Sequence, residues 1–385
     1  MSAPASAVVV THTAGLDATL AELAAAFAAT AADVDASGRL PAENFERLHA
    51  AGLIGLTAPT EVGGGGADLA TALKVVHAVA RGEPATALIL VMTYLHLNGF
   101  NRGPLEGVRR RVAEDSVRNG ALINAFRVEP ELGTPARGGV PATTARRDGD
   151  RWLISGRKIF STGVPVLSWF NVWAVTDEPE PRVGAFLVHR SAPGWRVQET
   201  WDHLGLRASA SHDVIFEATP TPLDHATGLT PIGAPPPPID ASFLTWSAVL
   251  TAGIYDAVAQ AARDWFVEWA ATRIPANLGA PLSTLPRYQE AVGAADALLL
   301  ANRALLAAGA RGEASLPETS LIKYNVTENA IKVVEGLVAL SGNPGLSRHN
   351  PLQRHLRDVL CGRVHTPQGD VALGAAGRAA FAARP

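Results

Sequence analysis

Apolar residues recur every three to four positions through the first hundred residues. Leu16, Leu20, Leu23 and Phe27 stand at i, i+4, i+7 and i+11, which places them on one face of an amphipathic helix. Phe45, Leu48 and Leu53 belong to a second such segment, ending in AAGLIGLTAPTEVGGGGAD. From Leu69 the helical period returns in ATALKVVHAVARG and runs on to the region of His96. Near Ala121 the period changes to two. In RWLISGRKIFSTG, Trp152 and Ile154 alternate with polar neighbours, and FNVWAVT, GAFLVHR and HDVIFEA follow between Gly, Pro and Asp clusters. Such short runs predict a compact antiparallel β-domain rather than βαβ units. The Pro- and Gly-rich stretch 218–240, ATPTPLDHATGLTPIGAPPPPID, reads as a linker. Helical period then resumes in LTAGIYDAVAQAARDWFVEWAATR and continues through LIKYNVTENAIKVVEGLVAL. The pattern divides the chain into helices over 1–120, a β-domain over 121–225 and a helical bundle over 226–385, without a sequence repeat.

Composition narrows the class. At 47% hydrophobic and 18% charged, the 385-residue chain has the balance of a well-buried globular protein and not of a disordered one. A formal net charge of −3 supplies no basic field for nucleic acid or an anionic lipid surface. Cys361 is the sole cysteine, which excludes an internal disulfide and a thiolate zinc site and suits a reducing cytoplasm. The N-terminal MSAPASAVVVTHTAG lacks the charged and apolar regions of a signal peptide. The most apolar run, Ala85 to Phe100, carries Thr, Tyr, His and Asn and is too short to span a bilayer. A cytoplasmic protein without a membrane partner is expected.

Candidate chemistry is sparse. Gly63 to Gly66 invite a phosphate-loop reading, but helical segments flank them on both sides, so a mobile loop with positive φ angles is expected. HExxH, GxSxG and Walker A sequences are absent, and no metal is expected. Among the histidines, His96 and His365 are the most suggestive, while Cys361, in an apolar context, reads as a packing residue.

The collective signal is stronger. GLIGLTAPTEVGGGGAD leads the helical region. RVEPELGTPARGG and ATTARRDGDRWLISGRKIFSTG open the β-domain and WDHLGLRASASHDVIFE closes it. ATRIPANLGAPL and ALSGNPGLSRHNPLQRHLRD punctuate the last region. In this order and spacing the chain resembles the acyl-CoA dehydrogenase superfamily of flavoproteins over almost its whole length. The resemblance implies an α+β multidomain fold: an N-terminal α-helical domain, a middle β-barrel-like domain and a C-terminal four-helix bundle. It also implies a homotetramer or homodimer with FAD extended between the middle domain and the bundle. RVEPELGT would lie along the flavin, with Gly133 and Thr134 near the pyrophosphate and Val128 where the family usually shows Thr. KIFSTG would set Phe160 against the isoalloxazine and Thr162 near its N5 edge, with Ser161 adding a hydroxyl. Arg273 matches an arginine that reaches the pyrophosphate of a neighbouring subunit's FAD, and Gly342 one of two glycines beside the adenine half. Leu278 replaces an aromatic residue, Asn343 the second glycine and Ala339 a glutamine, which leaves room for FMN.

One expected residue is missing. Dehydrogenases of this family remove the α-proton of an acyl thioester with a carboxylate. The usual pattern, RDxxxxxxYEG, puts a Glu eight residues after the Asp, and from Arg357-Asp358 that position is Thr366, preceded by His365. Other members supply the Glu from the first long bundle helix, but FLTWSAVLTAG contains no acid, and Ala248 stands where an arginine often accompanies it. Asp256 and Asp370 match no base position. The resemblance therefore implies a flavin-dependent oxidoreductase of acyl-CoA or a related small organic substrate, served by an electron-transfer partner and lacking its usual base. A second reading is the monooxygenase branch of the same fold, to which dibenzothiophene monooxygenase belongs. That branch takes reduced flavin from a separate reductase and needs a water-poor pocket and a proton-donating group, for which His96 and His365 are the candidates. A third reading is an inactive scaffold.

Overall fold

In the computed structural model of the chain, the stripe begun by Leu16, Leu20, Leu23 and Phe27 continues through Ala31 and Val34, all buried along α1 (Thr13–Ser37). The structure describes residues 13–132, 139–235 and 239–382. α2 (Ala42–Ala50) follows, then α3 (Leu69–Gly82), α4 (Pro84–Phe100) and α5 (Gly107–Asn119). The break between α3 and α4 is written locally. Pro84 opens α4, and the Glu83 carboxylate caps it by accepting from the backbone N–H groups of Ala85 and Thr86. α4 is buried along most of its length, against α3, the bundle and the sheet, which accounts for its apolar composition.

The quartet Gly63 to Gly66 forms a pinned loop rather than a mobile one. The N–H groups of Gly64, Gly65 and Gly66 donate to the carbonyls of Pro59, Gly55 and Ala58. A Cβ on Gly64 or Gly65 would fall 2.3–2.4 Å from the carbonyl oxygens of Ala58 or Leu56, so close backbone approach requires these glycines.

The middle region is one sheet of eight strands: β1 (Leu122–Phe126), β2 (Thr144–Asp148), β3 (Arg151–Lys158), β4 (Leu167–Thr176), β5 (Arg182–His189), β6 (Trp195–Gln198), β7 (Asp213–Pro222) and β8 (Ala226–Pro231). Their order is β6-β7-β3-β2-β4-β5-β8, with β1 beside β4. The sheet is mixed rather than purely antiparallel, because β1 and β2 both run parallel to β4. The linker expected over 218–240 is corrected as well. Residues 218–222 complete β7, and Ala226–Pro231 is an edge strand bonded to β5. The Thr-Pro alternation that reads as loop composition is a strand period: Thr219 and Thr221 are buried, while Pro220 and Pro222 turn outward.

α6 (Ala241–Thr272) is the axis of the last region. It packs against α3 and α4 on one side and against α7 (Pro286–Ala310) and α8 (Leu316–Ser341) on the other. The short α9 (Asn343–Leu346), α10 (Leu352–Leu360) and α11 (Gly369–Ala382) return along α8, with α10 also touching α6, and close the bundle. A capping box, Ser315 with Glu318, starts α8. One contiguous apolar cluster runs through helices, sheet and bundle, so the three regions share a core.

Candidate active site

The site is built on the strand end at Lys158. Its ammonium is fully buried and donates to Glu129 Oε1 (2.6 Å) and to the Trp173 carbonyl (2.5 Å). Glu129 also accepts from the N–H groups of Ala142 and Thr143 and from the Thr143 hydroxyl. Burial pushes Lys158 down to about 8. Burial works against the Glu129 carboxylate too, but Lys158 and Thr143 outweigh it and hold its pKa below the usual value. The pair pins the segment that follows β1 to the ends of β3 and β4.

Beyond Lys158 the chain turns sharply. The Ile159 N–H donates to the carbonyl of the half-buried Val128 (3.0 Å), and Phe160 follows at φ 56° with half of its surface exposed. A non-glycine residue there carries about 1–2 kcal/mol of strain. Its ring meets the edges of Trp201 and His203, which stack on each other with centroids 3.6 Å apart. Together with Pro130, Ile159 and Ser211 these residues line a groove of about 250 Å³. Ser211 Oγ donates to Thr162 Oγ1 (2.9 Å) and is bonded in turn to Ser209 Oγ (2.8 Å). Since the Thr162 oxygen already accepts, its own proton is free to donate. The Ser161 hydroxyl is buried without a partner among the described residues. An exposed aromatic face beside available hydroxyl donors fits the flavin that the sequence led us to expect. Gly133 and Thr134 lie outside the described residues. Arg273 is exposed at the end of α6, and Gly342, at φ 63° and ψ −140°, links α8 to α9 in a conformation reserved for glycine.

A second cavity, of about 380 Å³, opens between α4, the sheet and the start of α6. Its polar lining is His96, Arg102, Arg109, Arg127, Asn171, Trp173 and Thr227, set among Leu95, Phe100, Leu187 and Phe243. His96 Nδ1 lies 2.8 Å from the Met92 carbonyl, so that nitrogen carries the proton, and Nε2 is left to accept from Asn171 Nδ2 at 3.2 Å. Burial, and secondarily Arg127, lowers the His96 pKa. Among the described residues no carboxylate lines this cavity. Arg127 belongs to it, and the carbonyl of the next residue, Val128, accepts from Ile159 of the aromatic groove.

His365 stands elsewhere. Its Nδ1 lies 2.5 Å from the Tyr255 hydroxyl on α6, and its carbonyl accepts from the buried Lys323 ammonium (2.7 Å). Burial and the neighbouring Lys323 push His365 down to about 4, and burial brings Lys323 down to about 8. Thr366 is exposed. Neither His365 nor Thr366 lines the cavity of His96. Asp256 is buried and committed, accepting from Asn302, Gln260 and His77 at 2.8–3.1 Å. The Cys361 thiol is pushed up to about 12 by burial, in keeping with a packing role. Arg127, Asn171, Trp173, Trp201, His203 and the serine pair escaped the sequence reading; they come from separated strands and loops, and only WDHLGLRASAS carried a local signal.

Comparisons with known proteins agree on one family. Models of the acyl-CoA dehydrogenase N-terminal, middle and C-terminal domains match residues 12–102, 127–219 and 257–369 in turn. The Bacillus subtilis (strain 168) protein YdbM, named for acyl-CoA dehydrogenase activity, is 34% identical over 365 residues, covering 92% of this chain and 93% of its own. The L-evernosamine nitrososynthase of a Micromonospora species is 33% identical over 370 residues, covering 88% of this chain and 83% of its own. Among solved structures, KijD3 in complex with FMN and a dTDP-linked 3-amino-4-keto sugar superposes with a TM-score of 0.79 at 28% identity. That match covers 100% of this chain and 98% of KijD3.

Proposed function

The chain belongs to the acyl-CoA dehydrogenase family, and from that premise we propose that it is a flavin-dependent monooxygenase acting on a small organic molecule held beside His96. The observation that carries this reading is the missing carboxylate. The cavity lining contains none, both family positions for the base lack one, and Asp256 is held by three donors. A dehydrogenase without a base cannot take the α-proton of a thioester. A monooxygenase does not need to. One oxygen atom enters the substrate, the other leaves as water with two protons, and the bound reduced flavin supplies the two electrons.

The chain's own residues suit that task. Leu95, Phe100, Leu187 and Phe243 give the cavity apolar walls. His96 holds a defined tautomer, with Nε2 able to take or return a proton beside Asn171. Phe160 would support the flavin ring, with Val128 and Ser161 beside it, and Thr162 would donate to its edge. Gly133 and Thr134 would meet its phosphate. Arg273 would serve the flavin of a neighbouring subunit, so a homodimer or homotetramer belongs to the reading, as does a separate flavin reductase. FMN is the flavin we favour over FAD. KijD3 holds FMN, and Leu278 departs from the family in the segment of Arg273, as Ala339 and Asn343 do on the adenine side.

The name of the Bacillus relative supports the competing reading, oxidation of an acyl-CoA, and one experiment separates the two. Flavin-loaded protein mixed anaerobically with butyryl-CoA should keep its visible spectrum, whereas bleaching would overturn the proposal. Reduced FMN bound to the protein and then exposed to oxygen should reoxidise with kinetics different from those of free FMN. Kinetics identical to free FMN would also count against it.

A further inference from the structure

The cavity beside His96 also bears on what it holds, and the inference rests on reading that cavity as the substrate site. Of its three arginines, two are committed. Arg102 pairs with Asp240. Arg109 donates to the Gly99 and Arg102 carbonyls and lies over the Phe100 ring. Arg127 has no hydrogen bond or ion pair with any described residue; its guanidinium sits 4.6 Å from the centre of the Trp173 ring. It is also held in place. Two residues on, Glu129 is fixed by the buried Lys158, and Lys158 anchors the backbone of Trp173 as well. The result is a guanidinium fork presented on an aromatic plate, an arrangement suited to planar or tetrahedral oxyanions.

A second polar atom points the same way. Asn171 Oδ1 is buried and unpartnered among the described residues, so a donor is missing there. Apart from Thr227, whose hydroxyl donates to the Ala185 carbonyl, the remaining walls are apolar, and the volume lies at the small end of ligand pockets, roughly 300–1,000 Å³. A neutral ligand would leave the exposed Arg127 without a counter-charge among the described residues.

We propose that this cavity binds a small organic oxyanion, a carboxylate or phosphate ester on an apolar body, with its charge on Arg127 and an N–H or O–H of its own donating to Asn171 Oδ1.

The test uses the full-length protein without flavin and calorimetric titration with 4-hydroxyphenylacetate and 4-hydroxyphenyl phosphate, whose phenol can donate to Asn171 Oδ1, and with the neutral 2-phenylethanol. At least one anion should bind tenfold or more tightly than the alcohol, and which one it is separates the carboxylate from the phosphate ester. In Arg127→Gln the advantage of the anion over the alcohol should vanish, and Arg127→Lys should keep part of it, since charge survives without the fork. Equal binding of anion and alcohol to the unaltered protein would overturn the proposal. So would a preference that persists in Arg127→Gln, or binding of CoA more tightly than either small anion. Because neither flavin nor oxygen enters this assay, anion selectivity can fail while the monooxygenase reading stands, and the reverse.

Discussion

Phe160 holds a left-handed backbone conformation with its ring half in solvent, next to a strand end fixed by a buried ion pair. Phe160→Gly relieves about 1–2 kcal/mol of backbone strain, and against this stand the greater entropy of glycine in the unfolded chain, roughly 0.5–1 kcal/mol, and a modest loss of buried area. The variant should therefore unfold within about 1 kcal/mol of the parent in urea, while flavin affinity, read by fluorescence titration, drops at least tenfold. A large loss of stability with unchanged flavin affinity would reassign Phe160 to packing. KIFSTG made this residue legible only through family resemblance; no local rule foretells a phenylalanine at positive φ.

At the scale of elements, the decisive feature is the joint between the end of β1, the end of β3 and β4. Lys158 and Glu129 tie these together inside the sheet, 29 positions apart in sequence, and the backbone between Arg127 and Glu129 takes its place from them. Replacing one partner leaves the other charge buried and unpaired, at a cost of roughly 3–5 kcal/mol. Glu129→Gln should lower the urea midpoint accordingly and also erase the preference for anions over 2-phenylethanol, although Arg127 itself is untouched. A destabilised variant that keeps its anion preference would show that Arg127 is positioned independently of the joint. None of this was readable beforehand. Period and turn chemistry gave the strands around Lys158, but strand order is nonlocal, and β4 takes β1 and β2 in parallel across intervening chain. The same limit explains the stretch 218–240, where Pro and Gly composition masked the strands at Ala218–Pro222 and Ala226–Pro231.

Across the whole molecule, most of the fold was legible because hydrophobic period reports burial directly, as the α1 stripe and the α6 core show. The cavity was not, because its walls come from α4, four strands and α6. The segment RDVLCGRVHTPQGD spans both situations. Its Arg357 donates to the Leu204 carbonyl and to Asp35 of α1, and its Asp358 accepts from the Leu206 N–H at 2.7 Å. A Cβ on Gly205 would fall 2.2 Å from the Arg357 carbonyl oxygen, so α10 lies flush on this loop. Leu206 and Ala210 adopt positive φ angles in it, and it carries Ser209 and leads into Ser211. The arginine and aspartate thus clamp helices, sheet and bundle together at the loop that orients Thr162. Burial raises Asp358 to about 7, while burial lowers His355 to about 3 and His365 to about 4. The signs oppose. The two histidines are neutral in the fold but take protons when unfolded, so their contribution is lost as pH falls from 6.5 towards their folded values. Asp358 keeps its proton in the fold but loses it when unfolded, so its contribution is lost as pH rises from 3.8 through about 7. The histidines outnumber the aspartate, and the urea midpoint of the parent should rise between pH 4.5 and 6.5. In Asp358→Asn the opposing slope is gone while the acceptor for Leu206 remains, so the variant should gain on the parent by a few kcal/mol between pH 5 and pH 8. Parallel curves for the two proteins would mean that Asp358 does not hold a proton in the fold, and that the clamp on the Leu206 loop is an ionised one.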